Sequence, residues 1–400
     1  MNFLLLKRID RFVGTSLVGA LACWQKIKIS TRRKKQINGH PKSIVVTKYL
    51  GLGSIVHLTH TLHRLKEKYP AAKLTVVTSK ANIDFLRQVT FVDDIVAVDL
   101  KSMVSLVRSL FMIFLHFRRA PADHLYDAEF LTNFSAIVAH VIKVRHRVGF
   151  RTALAGSWRA AVFDEAIVID HSLHITKQFK QLLGEDAPKV SKKNGASVGA
   201  FNRTPPFGDR NIVGVNLNAS GMASERRWPM GHFADYLTQF LTAYPDSQLV
   251  LTGLPSEKIY GEELLSLISP DVARSFVDAT GRTSLPELME LISNMDLMIS
   301  VDSGPLALAA YFGVPTISFW GPESPDRYGP QSGENAHHLT LSVNVKCSPC
   351  LTEANYKTAP CLGNNICMKQ MSPEWAWSQS KSFLEELGQS KKAQKQLFAS

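Results

Sequence analysis

The chain has 400 residues, with 45% hydrophobic and 20% charged side chains. That balance excludes a disordered chain, a collagen-like repeat and a small disulfide scaffold, and the length leaves room for two or three domains. The net charge of +12 divides into +17 over residues 1–200 and −5 over residues 201–400. The two halves therefore face different partners, and neither carries the helix-turn-helix, zinc-finger or RNP spacing of a nucleic-acid binder.

Residues 1–40 read as a basic amphipathic extension. Leu5, Ile9, Phe12, Val13 and Leu17 share one helical face, Lys7, Arg8 and Arg11 flank it, and the run Arg32, Arg33, Lys34, Lys35 follows. This pattern points to a helix lying on an anionic membrane surface. A helix packed on the main fold is the alternative. A secretory signal peptide fits less well, because Asp10 and Arg11 interrupt the apolar stretch. No apolar run reaches the roughly 18 residues that span a bilayer as a helix.

From Ser43 the pattern alternates strand and helix. Strands are predicted at Ser43–Thr47, Lys73–Thr78, Ile95–Val98 and His124–Asp127, and helices at Ile55–Tyr69, Met103–Phe117 and Ala136–Lys143. Phe111, Phe114 and Phe117, spaced by three, read as core. Pro, Gly, Ser and Lys crowd Pro188–Asp209, which reads as a linker. A second series follows, with strands at Ile212–Leu217, Gln248–Thr252, Met295–Val301 and Pro315–Phe319. Its helices are Gly231–Ala243, Leu285–Ser293 and Pro305–Phe312. The alternation predicts two α/β, doubly wound Rossmann-like domains. Their expected limits are 41–190 and 211–385, joined by a linker over 191–210 and followed by a basic tail over 386–400.

Three stretches of the second half carry a specific resemblance. Residues 218–233 read NASGMASERRWPMGHF, residues 280–288 read TGRTSLPEL, and VDSGP at 301–305 is followed by GVPT at 313–316 and WGPESPDRYG at 320–329. Their content and order resemble the signature of the ADP-heptose:lipopolysaccharide heptosyltransferases, glycosyltransferase family 9. The first half is similar more loosely, through Lys48, Gly51 and Gly53 and through Tyr126, Asp127 and Glu129. The resemblance implies a GT-B fold, in which two Rossmann-like domains face a cleft.

It also implies roles. Asp302, Ser303 and Gly304 stand between a strand and a helix start, where free N–H groups hold an anion; the resemblance places the donor diphosphate there. Arg226 falls where the family carries a cation to that diphosphate, with Ser220 and Gly221 in the same loop. Glu257 and Thr280 fall beside the nucleoside. The family's general base is an aspartate directly after the second glycine of the first loop, and here that position is Ser54. A serine hydroxyl is not basic near neutral pH without a partner. The family's histidine after the Asp-Ser-Gly turn is also missing, since Leu306 and Ala307 stand there. Three explanations stay open. The base sits elsewhere, with Asp127, Glu129 and His174 as candidates; the substrates differ, with Ser54 as a hydrogen-bonding group; or the chain binds a donor without turnover.

Cys347, Cys350, Cys361 and Cys367 fall within 21 residues. Such density suggests a structural zinc site of four thiolates, with packed reduced thiols and disulfides as alternatives. Catalysis requires no cofactor on this reading. The resemblance implies an inverting transferase that passes a sugar, heptose from ADP-heptose, to the lipopolysaccharide core or a related anionic lipid-linked glycan. It would work peripherally on the cytoplasmic face of the bacterial inner membrane, held there by residues 1–40, with no nucleic-acid partner.

Overall fold

The computed structural model describes residues 10, 14, 16, 18–20, 40–130, 132–151, 156–184, 211–218, 224–331, 337–352 and 361–397. They belong to two compact units, Met1–Ala200 and Phe201–Ser400. The boundary falls inside the expected linker 191–210, which lies outside the described residues.

The first unit holds a six-stranded parallel sheet: β1 (Ser43–Thr47), β2 (Lys73–Ser79), β3 (Asp94–Val98), β4 (Ala122–Asp127), β5 (Val144–Arg151) and β6 (Glu165–Val168). The spatial order is β3-β2-β1-β4-β5-β6. Its main helices are α1 (Leu52–Lys68), α2 (Met103–Arg119), α3 (Asn133–Val141) and α4 (Ile175–Gln181). The apolar runs of β1 and β2 are buried because a parallel sheet is covered on both faces. The chain leaves β1 in one direction and returns to β4 on the other side. The carboxyl ends of β1 and β4 therefore flank the point where strand order reverses, the usual ligand position in such sheets.

The second unit repeats the plan: β7 (Asn211–Asn216), β8 (Ser247–Thr252), β9 (Phe276–Asp278), β10 (Leu297–Val301), β11 (Thr316–Trp320) and β12 (His338–Ser342), in the order β12-β11-β10-β7-β8-β9. Its helices include α5 (Met230–Ala243), α6 (Lys258–Leu267), α7 (Leu285–Ser293), α8 (Gly304–Tyr311) and α9 (Pro373–Leu397). The reversal lies between β7 and β10. Trp228 anchors the core, stacked on Phe319 with ring centroids 4.1 Å apart and donating its Nε1–H to the Met371 carbonyl at 2.8 Å. The Trp-Pro part of the sequence signature is thus packing. A buried aromatic of this kind is worth about 1.5–3 kcal/mol.

Several expectations change. The basic tail from residue 386 is the second half of α9, which runs unbroken to Leu397. Strands β5, β6, β9 and β12 were not legible. β9 has only three residues, and β5 opens VRHR, whose charges mask the run. Of the three spaced phenylalanines only Phe117 is core; Phe111 and Phe114 are exposed. Most of the 1–40 extension lies outside the described residues. Where it is described it packs on the first unit. Val18 joins the core with Ile113 and Phe117, and the Asp10 carboxylate accepts the backbone N–H groups of Asn133 (2.8 Å) and Phe134 (2.7 Å) at the start of α3.

Candidate functional site

In the second unit the expected residues gather at the carboxyl end of the sheet. The loop after β10 turns into α8 through Asp302 and Ser303. The Ser303 hydroxyl caps the helix, accepting from the Leu306 N–H at 3.3 Å, and lies 2.9 Å from the Ser300 hydroxyl. A serine N-cap satisfies one of the four free N–H groups of the first turn and leaves an electropositive end. Pro305 at the second position costs nothing there, because its missing N–H would be unpaired anyway.

Arg226 belongs to a short turn, Ser224–Arg226, on the β7 side of the reversal. Its guanidinium reaches the β10 and β11 ends: Nε lies 3.1 Å from Asp302 Oδ2, too oblique for a hydrogen bond, and NH2 donates to Glu323 Oε2 at 3.0 Å. Burial disfavours its charge, but the Asp302 and Glu323 carboxylates outweigh this and raise its pKa. Asp302 and Arg226 each remain partly exposed. Arg227 stacks its guanidinium 4.1 Å over the Tyr260 ring. The acceptor Oδ1 atoms of Asn216 and Asn218, at the end of β7, have no hydrogen-bond partner among the described residues. Ser220 and Gly221 lie outside the described residues.

Glu257 and Thr280 meet at the neighbouring strand ends. Glu257 is buried and its Oε2 accepts the Leu254 N–H at 2.7 Å. A Cβ on Gly253 would sit 3.0 Å from that oxygen and 3.1 Å from the Thr280 methyl, so the β8 and β9 loops touch here. The contact also requires Gly281. Its φ is +70°, and a side chain would meet the Pro255 backbone at 2.7 Å.

In the first unit the two candidate carboxylates stand in a different setting. Asp127, the last residue of β4, is fully buried. Its Oδ2 accepts from Arg159 NH2 at 2.7 Å and from the Ser135 hydroxyl at 2.9 Å, and its Oδ1 accepts from the Thr47 hydroxyl at 2.7 Å. Burial pushes its carboxyl pKa up, while Arg159 and the two hydroxyls pull it down. Glu129 is also fully buried. Its Oε2 accepts from Lys48 Nζ at 2.9 Å and from the Tyr49 and Leu50 N–H groups, and Oε1 from the Phe130 N–H. Glu129 thus holds the loop between β1 and α1, Asp127 is held by Thr47, Ser135 and Arg159, and neither carboxylate has exposed surface.

Ser54 is partly exposed in the first turn of α1, just after Gly51, whose φ of +81° no other residue adopts cheaply. One turn on, at the i+3 position of the same face, stands the partly exposed His57. Its Nδ1 lies 3.4 Å from the Thr176 hydroxyl, and its ring meets that of His174 edge to face, centroids 5.3 Å apart. The third base candidate, His174, is buried. It caps α4 by accepting the Thr176 N–H on Nδ1, which leaves the proton on Nε2. His57 carried no signal in one sequence. Neither did the partners that define the charged residues, Arg159 and Glu323, which lie about 30 and 100 residues away from them in the chain.

Cys347, Cys350, Cys361 and Cys367 form no disulfide among the described residues. Burial, then the neighbouring thiols, raises the pKa of Cys350, and burial raises that of Cys367 to about 11. Among the described residues no three His, Cys, Asp or Glu side chains are arranged to hold a metal ion. Cys367 packs in the core beside Gly321.

Residues 117–359 match the family model "Glycosyltransferase family 9 (heptosyltransferase)". The chain is 27% identical over 256 residues to lipooligosaccharide heptosyltransferase 2 of Campylobacter jejuni, covering 63% of this chain and 72% of that one. It is 21% identical over 297 residues to the lipopolysaccharide core heptosyltransferase OpsX of Haemophilus influenzae, covering 72% and 82%. Its fold is similar to that of the solved ADP-heptose lipopolysaccharide heptosyltransferase II of E. coli, with a TM-score of 0.65 at 18% identity over 88% of this chain and 99% of that one.

Proposed function

Because this chain belongs to glycosyltransferase family 9 and is a glycosyltransferase, we propose that it transfers heptose from ADP-heptose to the lipopolysaccharide core, or to a related lipid-linked glycan, at the cytoplasmic face of the inner membrane. The observation that carries this reading is the arrangement at the reversal of the second sheet. There Arg226, held between Asp302 and Glu323, stands by the Ser303-capped start of α8. A guanidinium has five N–H donors, more than these two carboxylates take up. The remainder, with the helix N-terminus, suit a diphosphate. They would meet the negative charge that grows on the leaving nucleotide. The side chains of Glu257 and Thr280, both beside Gly253, support a neighbouring nucleoside position.

On the acceptor side the proton must leave a sugar hydroxyl. With Ser54 in place of a carboxylate and both nearby carboxylates sealed, the proposed acceptor of that proton is His57, on Ser54's own helix face. Removing a general base costs about 10²–10⁴ in rate. His57→Gln should lower kcat by such a factor while ADP-heptose binding is kept.

The test of the whole reading incubates the purified chain with ADP-heptose and a panel of truncated lipopolysaccharide cores, following ADP release and acceptor mass. Heptose on a core supports it. Absence of ADP-heptose binding would overturn the donor assignment and leave another nucleotide sugar. The burial of both first-unit carboxylates favours one second reading, a donor-binding protein without turnover. Tight ADP-heptose binding with no transfer to any core would select it.

A further inference from the structure

Helix α2, Met103–Arg119, shows an outward face that its own unit does not use. Ile113 and Phe117 point into the core, yet Val104 is 79% exposed, Val107 61%, Phe111 59% and Met112 58%, with Phe114 also exposed. At 100° per residue, Val104, Val107 and Phe111 lie along one stripe, with Met112 and Phe114 at its two edges. A contiguous apolar strip of this kind marks an interaction site. The Lys and Arg side chains here, Lys101, Arg108, Arg118 and Arg119, are exposed, and no acid occurs between Asp99, which accepts the Lys101 N–H, and Asp123. Arg118 lies 5.6 Å over the Phe114 ring, keeping its cation at the margin of the strip.

We propose that this face of α2 docks on an anionic lipid surface, the apolar stripe entering the interface and the four cations meeting lipid phosphates. Charge selects this occupant. A second copy would bring the same cations against these. The chain's own segment 1–48, with 11 basic side chains and one acid, meets the inward side of α2 through Val18, and its cations would oppose those of the outward face. An interfacial helix needs an apolar face bordered by Lys and Arg, and each cation near an anionic surface adds attraction. The inference extends the membrane part of the reading above and moves the contact from residues 1–40 to α2. Its test involves neither donor nor glycan acceptor, so a failure of heptosyl transfer leaves it standing and its own failure leaves transfer standing.

The experiment is vesicle flotation of the full chain. Phosphatidylethanolamine vesicles containing phosphatidylglycerol are compared with phosphatidylcholine vesicles. The chain should float with the anionic vesicles only, and release with salt. The double variant V107E/F111E should bind at least about tenfold less, since two buried apolar anchors become charges facing lipid phosphate. Its thermal melt should match the parent, because neither side chain packs in the core. Should that variant fail to fold, R108Q/R118Q/R119Q keeps the stripe and should still lose the salt-sensitive part of binding. Equal flotation of both variants and parent would overturn the proposal and return the contact to the basic N-terminal segment. No flotation of the parent would also overturn it. So would a parent dimer that V107E/F111E disperses, which would make a second copy the occupant.

Discussion

The two units place charged clusters at the same topological position and cover them differently. At the β1/β4 reversal, Lys48–Glu129 and Asp127–Arg159 have side chains at most 1% exposed, and their hydrogen bonds end on backbone and hydroxyls. At the β7/β10 reversal, Arg226 and Asp302 keep 17% exposure each. Two charges removed wholly from water repay their desolvation only by holding each other and the chain around them. Charges left at the edge can change partner when an oxyanion arrives. Chemistry at a strand end therefore depends on a few Å of cover, which strand order does not specify.

The sharpest way to break that comparison is in the first unit. Asp127→Asn leaves Arg159 as a buried charge without its carboxylate and should cost about 3–5 kcal/mol of stability. Chemical denaturation reads this. Turnover per folded molecule should barely change. A variant as stable as the parent that has lost turnover would make Asp127 the base after all. The second-unit counterpart is Arg226→Gln. Loss of one preorganised donor to a developing charge lowers kcat by roughly 10²–10³, here with the thermal midpoint little moved. A stability loss without a rate loss would place this cluster in the same class as the first.

Protons offer a smaller test. Burial lowers the His338 pKa to about 4, with His337 adding to the effect, and the ring is 3.0 Å from the Thr316 hydroxyl. The folded second unit thus binds fewer protons than the unfolded chain between about pH 6.5 and 4. The contribution is complete above pH 6.5 and is lost as pH falls through 4, about 2 kcal/mol after allowance for partial exposure. Burial, then His146, lowers His124 in the first unit in the same sense. His338→Gln should flatten the acid limb of second-unit unfolding, followed by the fluorescence of its tryptophans, Trp228 among them. Smallest is Arg227→Ala, which removes the contact with Tyr260 and should cost about 0.5–1 kcal/mol without altering turnover by more than a few-fold.

Strands such as SIVVT and helices such as α5 were legible because their burial is local: an apolar run or a 3.6-residue stripe announces itself. The two-unit plan and the family followed from motifs in chain order. The residue types of the candidate site at the second sheet's carboxyl end, Arg226, Asp302, Ser303 and Thr280, could be named from the sequence. What each charge faces could not. Asp127 reads as a base candidate, and nothing in its neighbourhood of the sequence announces its pairing with Arg159, 32 residues on. The phenylalanines of α2 misled for a related reason. Helical spacing reports which side chains share a face, not whether that face is covered.

Asp10 has a consequence for how the chain is built. Its carboxylate caps a helix that begins 123 residues later, so during synthesis the N-terminal segment has no docking place until Asn133 and Phe134 have emerged. Closing so long a loop is entropically slow. A shortened form beginning at residue 40 would retain every strand of the sheet. It would lack the cap on α3, worth about 1 kcal/mol, and the Val18 side chain that shares a core cluster with residues of α2 and α3. Trimming the basic leader for convenience in purification would therefore loosen the very part of the first unit that presents α2.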